Sequence, residues 1–419
     1  MAIPNRFRAL SSLNFKIWAA GALVSNIGSW LQRTAQDWLV LTQLTHNSAA
    51  AVGTVMALQY GPHVVLLPLT GFAADHFDRR KLLICTQTAM GCLALGLGVL
   101  TVAGIVRLCH VYVFALLLGC VTAFDSPANQ TFVAELVGEK DLSNAVALNS
   151  TSFNTARMAG PALAGLLIGW VGTGWLFLLN AASFGAVVCA LRLLRPGQLH
   201  RIAKSSRTAT SLADGFRYVW KRPDLKTIFI MMFLIGTFGF NFPIYISTMA
   251  VTVYHVGPSR YGLITSIMGM GTIVGALLAA GRDQGHFSGL LTGAACFGAG
   301  LAVAAAMPDE WLFALALLGV GVAAITFNNS TNSLVQLSTE PAMRGRVMAI
   351  RLAIVLGGTP LGAPIAGWVA DTFGPRWALA VGAASGLAAA LVGLCYLAKV
   401  RNLRMTIRAR RIHFDIDGR

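Results

Sequence analysis

The chain contains 419 residues, of which 56% are hydrophobic and only 11% are charged. Soluble domains carry roughly 25% charged residues, so this composition excludes an ordinary soluble enzyme or binding domain. The formal net charge of +16 could suit a nucleic-acid partner. Most Lys and Arg residues, however, lie in alternate segments between apolar runs and at the two ends, which is the positive-inside pattern of membrane proteins. We therefore predict a polytopic α-helical membrane protein that contacts the lipid bilayer and binds no nucleic acid.

Apolar runs recur along the chain at about the 20 residues that a helix needs to cross a bilayer. We predict twelve such helices, over residues 15–44, 49–74, 82–104, 111–136, 145–171, the stretch from the turn at 172–174 to 194, 227–253, 261–280, 290–307, 311–337, 347–372 and 377–400. An even number of crossings between two basic ends predicts that both termini are cytoplasmic. The first run is long and lacks a small-residue cleavage site, so it is predicted to be a retained helix.

The predicted helices divide into two halves of six. Residues 1–195 form the N-terminal half, and residues 227–400 form the C-terminal half. Residues 196–226 are predicted to be a cytoplasmic linker, and residues 401–419 a basic cytoplasmic tail. Apolar residues recur at nearly helical spacing in the second part of the linker, which predicts an amphipathic helix at the inner membrane surface.

An internal repeat supports this division. A shift of 202 residues aligns three pairs: Gly160 with Gly362, Gly165 with Gly367, and Trp175 with Trp377. Gly53 and Gly262 open predicted helices 2 and 8 at a slightly different shift. Duplicated halves are expected of transporters that rock around a central site. Chance similarity between helices rich in Gly and Ala is the alternative.

A short charged loop separates predicted helices 2 and 3. Its acidic and basic residues, between two long apolar runs, favour a loop that surfaces in water. It resembles the signature loop of the major facilitator superfamily, Gly-x3-Asp-(Arg/Lys)-x-Gly-Arg-(Arg/Lys), at Gly71, Asp75, Arg79 and Arg80, and departs from it at His76 and Asp78. The resemblance implies a major facilitator fold, with Gly71, Asp75, Asp78, Arg79 and Arg80 in conformational gating. An ordinary basic loop is the alternative.

Four of the charged residues inside predicted helices stand out: Arg33 and Asp37 in helix 1, Asp125 in helix 4 and Arg157 in helix 5. Intramembrane charges cost about 2.5–3.5 kcal/mol on insertion scales and are functional candidates by default. Arg33 and Asp37 are four residues apart, so they share a face and can pair. A carboxylate that alternates between protonated and ionised forms is the minimum chemistry for proton coupling. A structural Arg33–Asp37 pair, and a helix-distorting role for Asp125 beside Pro127, are the alternatives.

Predicted helix 5 contains an interior proline in the sequence Ala159-Gly160-Pro161-Ala162-Leu163-Ala164-Gly165. Such a proline removes a backbone hydrogen bond and kinks the helix. The stretch resembles the antiporter motif of drug–proton exporters, Gly-Pro-x2-Gly-Gly, with Ala164 in place of the first of the paired glycines. The resemblance implies that Gly160, Pro161 and Gly165 take part in conformational gating.

Polar side chains in predicted helices 4 and 10 could line a cavity: Asn129, Gln130, Asn328, Asn329 and Asn332. They could equally bond neighbouring helices. The aromatic residues Trp30, Trp38, Phe238 and Phe240 could stack on a bulky substrate, although aromatic side chains in membrane helices more often face lipid or core.

Two further stretches, Trp30–Val40 and Asp125–Phe132, are similar to the drug and siderophore exporter branch of the superfamily, which includes enterobactin exporters and macrolide efflux pumps. The resemblance implies secondary active export of a small molecule by alternating access, with protons as the coupling ion. It also implies a monomer in a bacterial cytoplasmic (inner) membrane. Members often carry Arg where Asn129 stands, and this departure leaves the route of proton coupling open.

Sequence patterns of other functional classes are absent. The chain has no Gly-x4-Gly-Lys-(Ser/Thr) phosphate loop, no His-Glu-x2-His zinc motif and no Gly-x-Ser-x-Gly nucleophile, and none of its seven cysteines forms a Cys-x2-Cys pair. We therefore expect no enzyme activity, no cofactor and no metal. A proton-coupled uptake symporter of the same fold and a non-transporting receptor or scaffold stay open as alternatives.

Overall fold

The computed structural model describes residues 5–200, 212–280, 287–400, 403–408 and 411–416. Their α-helices are α1 Leu13–Trp38, α2 Ala49–Val65, α3 Leu67–His76, α4 Arg79–Val102, α5 Leu108–Val137, α6 Leu142–Val171, α7 Thr173–Leu193, α8 Leu212–Lys221, α9 Pro223–Leu234, α10 Phe242–Thr248, α11 Pro258–Ala280, α12 Phe287–Ala306, α13 Glu310–Ser338, α14 Arg344–Phe373 and α15 Pro375–Val400. Segments Leu39–Leu44, Ile235–Gly239 and Met249–Val253 are π-helical, and Asn5–Ser11, Glu139–Asp141 and Pro196–Gln198 are 3₁₀ turns.

Nine helices in the described ranges are long and apolar enough to cross a membrane. They are α4, α5, α7, the interrupted helix Pro223–Val253, α11 without its last residue, α12, α13, α14 and α15 without its last residue. This confirms a multi-pass helical membrane protein. The other three predicted crossings fall in α1, α6 and the broken pair α2–α3. Because α1 and α6 carry more polar residues and α2 has only 17 residues, twelve crossings stay a prediction.

Two predicted helices are interrupted. Predicted helix 2 breaks at Leu66, where φ is −90° and ψ is 1°. Prolines lie at Pro62 and Pro68, and a proline cannot donate the backbone hydrogen bond that a continuous helix requires. Predicted helix 7 begins four residues earlier, at Pro223, and leaves the helical path between Gly239 and Phe242. Both predicted stretches are largely helical, but each contains a break that the sequence analysis did not predict.

A helix, α8, lies within the predicted linker. Val219 is buried, whereas Phe216 and Trp220 are 56% and 61% exposed. Their rings stack with centroids 5.6 Å apart. This two-sided character fits the predicted location at a membrane surface, which stays a prediction. The preceding linker residues 201–211 lie outside the described residues.

The C-terminal tail was predicted only as a basic segment. It contains two antiparallel strands, β1 Leu403–Arg408 and β2 Arg411–Ile416, with Leu403 opposite Ile416. Alternating apolar and polar residues such as Arg411, Ile412 and His413 could have predicted a strand. The tail is therefore an exception to the all-helical architecture.

Contacts group the described residues into two compact units. The first comprises those within residues 1–207, 242–270 and 363–375, and the second those within 208–241, 271–362 and 376–419. In the first, Phe15, Trp18 and Phe132 lie in a buried apolar core of α1, α4, α5, α6 and α7. In the second, Gly298 of α12 and Gly386 of α15 pack backbone to backbone. Each unit combines several separate segments of the chain. The division into two contiguous six-helix halves therefore stays a prediction.

Candidate functional site

One face of α1 carries Trp30, Arg33 and Asp37 at intervals of three and four residues. Arg33 is exposed, and its Cζ lies 5.2 Å from the ring centroid of Trp30 and 5.9 Å from that of Tyr60 on α2. Ring faces attract a guanidinium at such distances. None of the ion pairs among the described residues includes Arg33 or Asp37. Arg33 is therefore positioned by aromatic rings rather than by Asp37.

Asp37 is half-buried near the end of α1. Among the described residues, no hydrogen bond or ion pair reaches its carboxylate. This carboxylate interacts electrostatically with the guanidinium of Arg33 and with the phenol of Tyr261 on α11. The neighbouring Trp38 stacks on Tyr261 with ring centroids 5.7 Å and planes 28° apart. The stack holds the start of α11 beside an acid that has no fixed donor.

Helix α6 brings Phe153, Arg157 and Gly160 to the same place. The Phe153 ring lies 6.0 Å from that of Trp30 in an edge arrangement. A Cβ on Gly160 would lie 2.5 Å from the Trp30 Cβ, so glycine allows α6 to approach α1 here. Arg157 lies one turn from each of these contacts and is half-buried. Its guanidinium interacts electrostatically with Arg33 and with Tyr60. Two guanidinium groups thus share this region with one carboxylate.

Helix α2 contributes Tyr60 and His63, which the sequence analysis missed. Their ring centroids are 6.2 Å apart, and the charge of Arg33 acts on His63. Gln59, the residue before Tyr60, accepts at Oε1 a hydrogen bond of 3.5 Å from Gln36 Nε2 of α1. The rule that selected the charged residues also applies to an ionisable side chain such as His63 inside a predicted membrane helix. Applied to all such groups, it would have found this histidine.

These side chains form one group within the first unit, which we call the polar cluster: Trp30, Arg33 and Asp37 of α1, Tyr60 and His63 of α2, Phe153 and Arg157 of α6, and Tyr261 of α11. The cluster combines one carboxylate, two guanidinium groups and an imidazole with four aromatic faces. A carboxylate without donors can exchange a proton, and aromatic faces can hold a bulky amphipathic molecule. The arrangement has the chemical parts of a transport site.

Asp125 of α5 lies in a different environment. It is 8% exposed and accepts hydrogen bonds on Oδ1 from Thr86 Oγ1 at 2.6 Å and Gln87 Nε2 at 3.1 Å, both on α4. One turn further, Asn129 is half-buried, and its Oδ1 lacks a hydrogen-bond partner among the described residues. Gln130 is exposed. The structure therefore places Asp125 in a bridge between α4 and α5.

The polar residues of predicted helix 10 lie on α13 in the second unit. Asn328 Oδ1 accepts a hydrogen bond of 2.7 Å from Arg351 Nη2 of α14, which the sequence analysis also missed. Asn329 and Asn332 are half-buried. Arg351 is an intramembrane charge eight residues into α14, so it met the criterion that selected the other four. Asn328 therefore bonds a neighbouring helix, which is the alternative to lining a cavity.

The signature loop is built around the start of α4. Asp78 caps that helix, with Oδ1 accepting a hydrogen bond of 3.0 Å from the Lys81 backbone. Arg79 pairs with Glu135 of α5. Arg80 donates to the carbonyls of Leu191 and Arg192 at 2.8 and 3.0 Å, at the end of α7. The two arginines thus join α4 to α5 and α7.

Gly71 and Asp75 are the two earlier residues of the signature loop. No described atom of a neighbouring element lies within 4 Å of a Cβ placed on Gly71, so no close helix contact is present at this glycine. Asp75 lies in α3, and its side chain is outside the described residues.

The Gly-Pro motif of α6 faces α11. A Cβ on Gly262 would run into the Pro161 carbonyl, and one on Gly165 into the Pro258 carbonyl. The Ala162 backbone N–H, next to the proline, donates to Ser266 Oγ of α11 at 2.9 Å. The motif therefore forms a tight joint between the two helices.

The described residues contain no group of three or more His, Cys, Asp or Glu that could hold a metal ion. All seven cysteines are free. Nothing in the described part of the chain therefore points to a metal or disulfide contribution at the polar cluster.

Comparison with known proteins gives the family context. Residues 6–415 match the family model described as "Transmembrane secretion effector". The chain is 26% identical over 370 residues to the "Multidrug efflux pump Tap" of Mycolicibacterium fortuitum, covering 84% of this chain and 88% of that protein. It is 24% identical to the "Staphyloferrin A transporter" of Staphylococcus aureus, covering 63% and 66% of the two chains.

Solved structures show the same fold. The nucleoside transporter NupG (D323A mutant) superposes with a TM-score of 0.73 at 16% identity, over 92% of this chain and 99% of that chain. A bacterial homologue of the iron transporter ferroportin, in an inward-facing state, gives a TM-score of 0.71 at 14% identity, over 92% and 99% of the two chains. At such identities the likeness concerns the fold alone.

Proposed function

Because the chain belongs to the transmembrane secretion effector family of major facilitator transporters, and is a transporter rather than an enzyme, we propose that it exports drug-like or siderophore-like small molecules in exchange for protons. Two kinds of relative support the cargo: one is named a multidrug efflux pump and another a staphyloferrin A transporter. Alternating access across a bacterial inner membrane is the mechanism proposed.

The observation that carries the proposal is the state of Asp37. Its carboxylate lies in the polar cluster without a hydrogen bond or ion pair from the described residues, and the charge of Arg33 acts on it. Hydrogen-bond donors favour the ionised form of a carboxyl group. An acid without them can take up a proton on one side of a membrane and release it on the other. Asp37 is therefore the proposed proton carrier.

Asp125 is proposed to have a structural role. Both donors to its carboxylate come from α4, so its charge is satisfied within the first unit. Changing Asp125 alters or removes the acceptor of these two donors, and leaving a buried polar group without a partner costs about 1–3 kcal/mol. The expected consequence of changing Asp125 is lost stability rather than lost coupling.

Arg157 and the aromatic residues Trp30, Tyr60 and Phe153 are proposed to bind substrate, next to Asp37. Their rings offer faces on which an amphipathic molecule can stack. Asn129, Gln130, Asn328, Asn329 and Asn332 stay candidates for cavity lining.

Two groups of residues are proposed to control switching. The first is the signature loop, in which Arg79 and Arg80 join α4 to neighbouring helices and Asp78 caps it; Gly71 and Asp75 belong to the same loop. The second is the joint of Gly160, Pro161 and Gly165 with α11. Tight joints between packed helices have few arrangements, so they suit movement between discrete states.

The remaining architecture is proposed from the sequence pattern. The chain forms two six-helix halves, over residues 1–195 and 227–400, joined by the linker 196–226 and followed by the tail 401–419. Both termini are cytoplasmic, because the basic loops alternate with nearly uncharged ones. The protein works as a monomer.

Asp37→Asn tests proton coupling. Screening a pump-deleted bacterial host for drug resistance first identifies a compound that the protein exports. In inside-out vesicles with an acidic interior, we expect the wild-type protein to accumulate this compound. Asp37→Asn should reduce the gradient-driven accumulation at least tenfold, because the amide cannot carry a proton, while downhill exchange of the compound persists. Asp125→Asn, the matched control, should keep coupling and lose thermal stability.

Unchanged uphill accumulation by Asp37→Asn would assign Asp37 to structure. Accumulation driven only in the opposite direction would indicate an uptake symporter. Absence of flux for every compound, whichever gradient is applied, would indicate a receptor or scaffold.

A further inference from the structure

We propose that Asp371 is a releasable clamp that closes one end of the transporter by holding the start of α2. The Asp371 carboxylate, on α14, accepts hydrogen bonds from Ser48 Oγ at 2.9 Å, the Ala49 backbone at 2.6 Å and the Ala50 backbone at 3.0 Å. The first backbone N–H groups of a helix have no partner inside the helix. Asp371 supplies that partner from another helix and places a negative charge at the positive end of α2.

Close packing supports the contact. A Cβ on Gly367 would lie 2.5 Å from the Ala49 carbonyl oxygen, and one on Gly53 would run into the Ala363 carbonyl. Two glycines therefore let the backbones of α14 and α2 touch, Gly367 at the start of α2 and Gly53 one turn later. Asp371 lies one turn beyond Gly367. Its carboxylate reaches the helix end because the backbones are already in contact.

The corresponding joint in the other half of the repeat lacks this carboxylate. Between α6 and α11, Gly165 and Gly262 make the same kind of backbone contact. The shift of 202 residues that aligns Gly165 with Gly367 aligns Gly169 with Asp371. Pro258 at the start of α11 has no N–H to donate. Because the packing forms without a carboxylate there, we infer that Asp371 has a role beyond joining two helices.

Water can compete for this contact. Asp371 is exposed, and a cavity of about 390 Å³ lies beside it, whose lining includes Ser48, Ala49, Thr248 and Thr252. Exposed hydrogen bonds exchange readily with bonds to water, because both states satisfy the groups. The bonds from Ser48 and Ala50 are exposed, so water can replace them. Ala49 is 1% exposed, so its N–H reaches water only when α2 and α14 separate.

The clamp acts on the helix that carries part of the polar cluster. Tyr60 and His63 lie on α2, within the same continuous helix as Ala49 and Ala50. A change at the start of α2 thus moves residues beside Asp37. The inference rests on the proposed alternating access, in which this end of the bundle opens and closes once per cycle. Asp371 is accordingly a positioning residue, which does not touch substrate.

Hydrogen exchange of the full-length protein in lipid nanodiscs tests the contact without substrate or gradient. In Asp371→Ala, we expect the amides of Ala49 and Ala50 to exchange at least tenfold faster. Asp371→Asn should fall in between, because the amide oxygen still accepts but carries no charge. Asp309→Ala is the matched control, since Asp309 caps α13 locally through the Trp311 and Leu312 backbones. There, faster exchange should be confined to the start of α13.

Thiol labelling tests release. Thr252→Cys, in a background whose seven native cysteines are replaced by alanine, places a probe in the cavity wall. Asp371→Ala should raise its labelling rate several-fold, and Asp309→Ala should not. Unchanged exchange at Ala49 and Ala50 would overturn the clamp. Faster exchange without faster labelling would make Asp371 a static cap and would also overturn it. Because neither measurement uses transport, a failure of the proposed proton exchange leaves both outcomes readable.

Discussion

Asp37 and Asp125 are both acids within helices of the same compact unit, yet their surroundings differ. Asp125 is held by Thr86 and Gln87 of a neighbouring helix. Asp37 has no donor among the described residues and interacts electrostatically with Arg33. Hydrogen-bond donors favour the ionised form of a carboxyl group, so an acid without them takes up a proton more readily. The role of an intramembrane acid is thus decided by what other helices bring to it.

The largest expected effect comes from removing the donors of Asp125. The double variant Thr86→Val, Gln87→Leu leaves a buried acceptor unsatisfied, which costs about 1–3 kcal/mol for each lost bond and more for a charged group. We expect the free energy of unfolding to fall by several kcal/mol. Thermal unfolding in detergent should show a clearly lower Tm, while the pH dependence of transport stays that of the wild type.

Thr88→Val is the control for that variant. Thr88 lies on the same helix, is exposed, and donates only to the Ile84 carbonyl at 2.7 Å. Its change should leave Tm nearly unaltered. In an Asp125→Ala background, removal of Thr86 and Gln87 side-chain donors should cost much less, because the acceptor is already gone. Equal losses with and without Asp125 would contradict the satisfied-acid interpretation.

A smaller effect is expected at Arg33, where contact is with rings. Arg33→Gln removes the charge beside Asp37, and we expect the initial rate of gradient-driven transport to fall about tenfold, equivalent to about 1.4 kcal/mol. Arg33→Lys should lie between, because lysine keeps the charge but not the planar stacking. Arg376→Gln is the control, since Arg376 is exposed and donates to the Met307 carbonyl at 3.2 Å. Matching rates for the two Gln variants would remove Arg33 from the site.

The sequence predicted most helices, because each membrane helix must satisfy its own backbone hydrogen bonds and therefore appears as a long apolar run. Predicted helix 10, over 311–337, is α13 Glu310–Ser338. The break at Leu66 was missed although Pro62 and Pro68 surround it. Pro62 and Pro68 predict a disturbed helix 2 for the same reason that Pro161 predicts a kink in helix 5.

The candidate site was predictable in part. Spacing alone correctly placed Arg33 and Asp37 on one face of a helix, but it could not show that Arg33 lies over Tyr60. That contact, like the donors of Asp125, depends on the rotation of one helix against another, which a single sequence does not encode in its apolar pattern. His63 and Arg351 were different, since both are ionisable residues inside predicted helices and needed no structural information to be selected.

The smallest expected effect concerns how Arg33 is held. Tyr60→Leu removes a ring face from beneath the guanidinium, and cation–π contacts of this kind contribute about 0.5–1 kcal/mol at exposed sites. Tyr60→Phe keeps the ring and loses only the hydroxyl. We expect Tyr60→Leu to lower the transport rate two- to fivefold and Tyr60→Phe to leave it nearly unchanged. If both variants were impaired equally, the hydroxyl would be the active group. Tyr60 would then act as a hydrogen-bond donor, as Thr86 does. The surroundings of Asp37 and Asp125 would differ less than proposed.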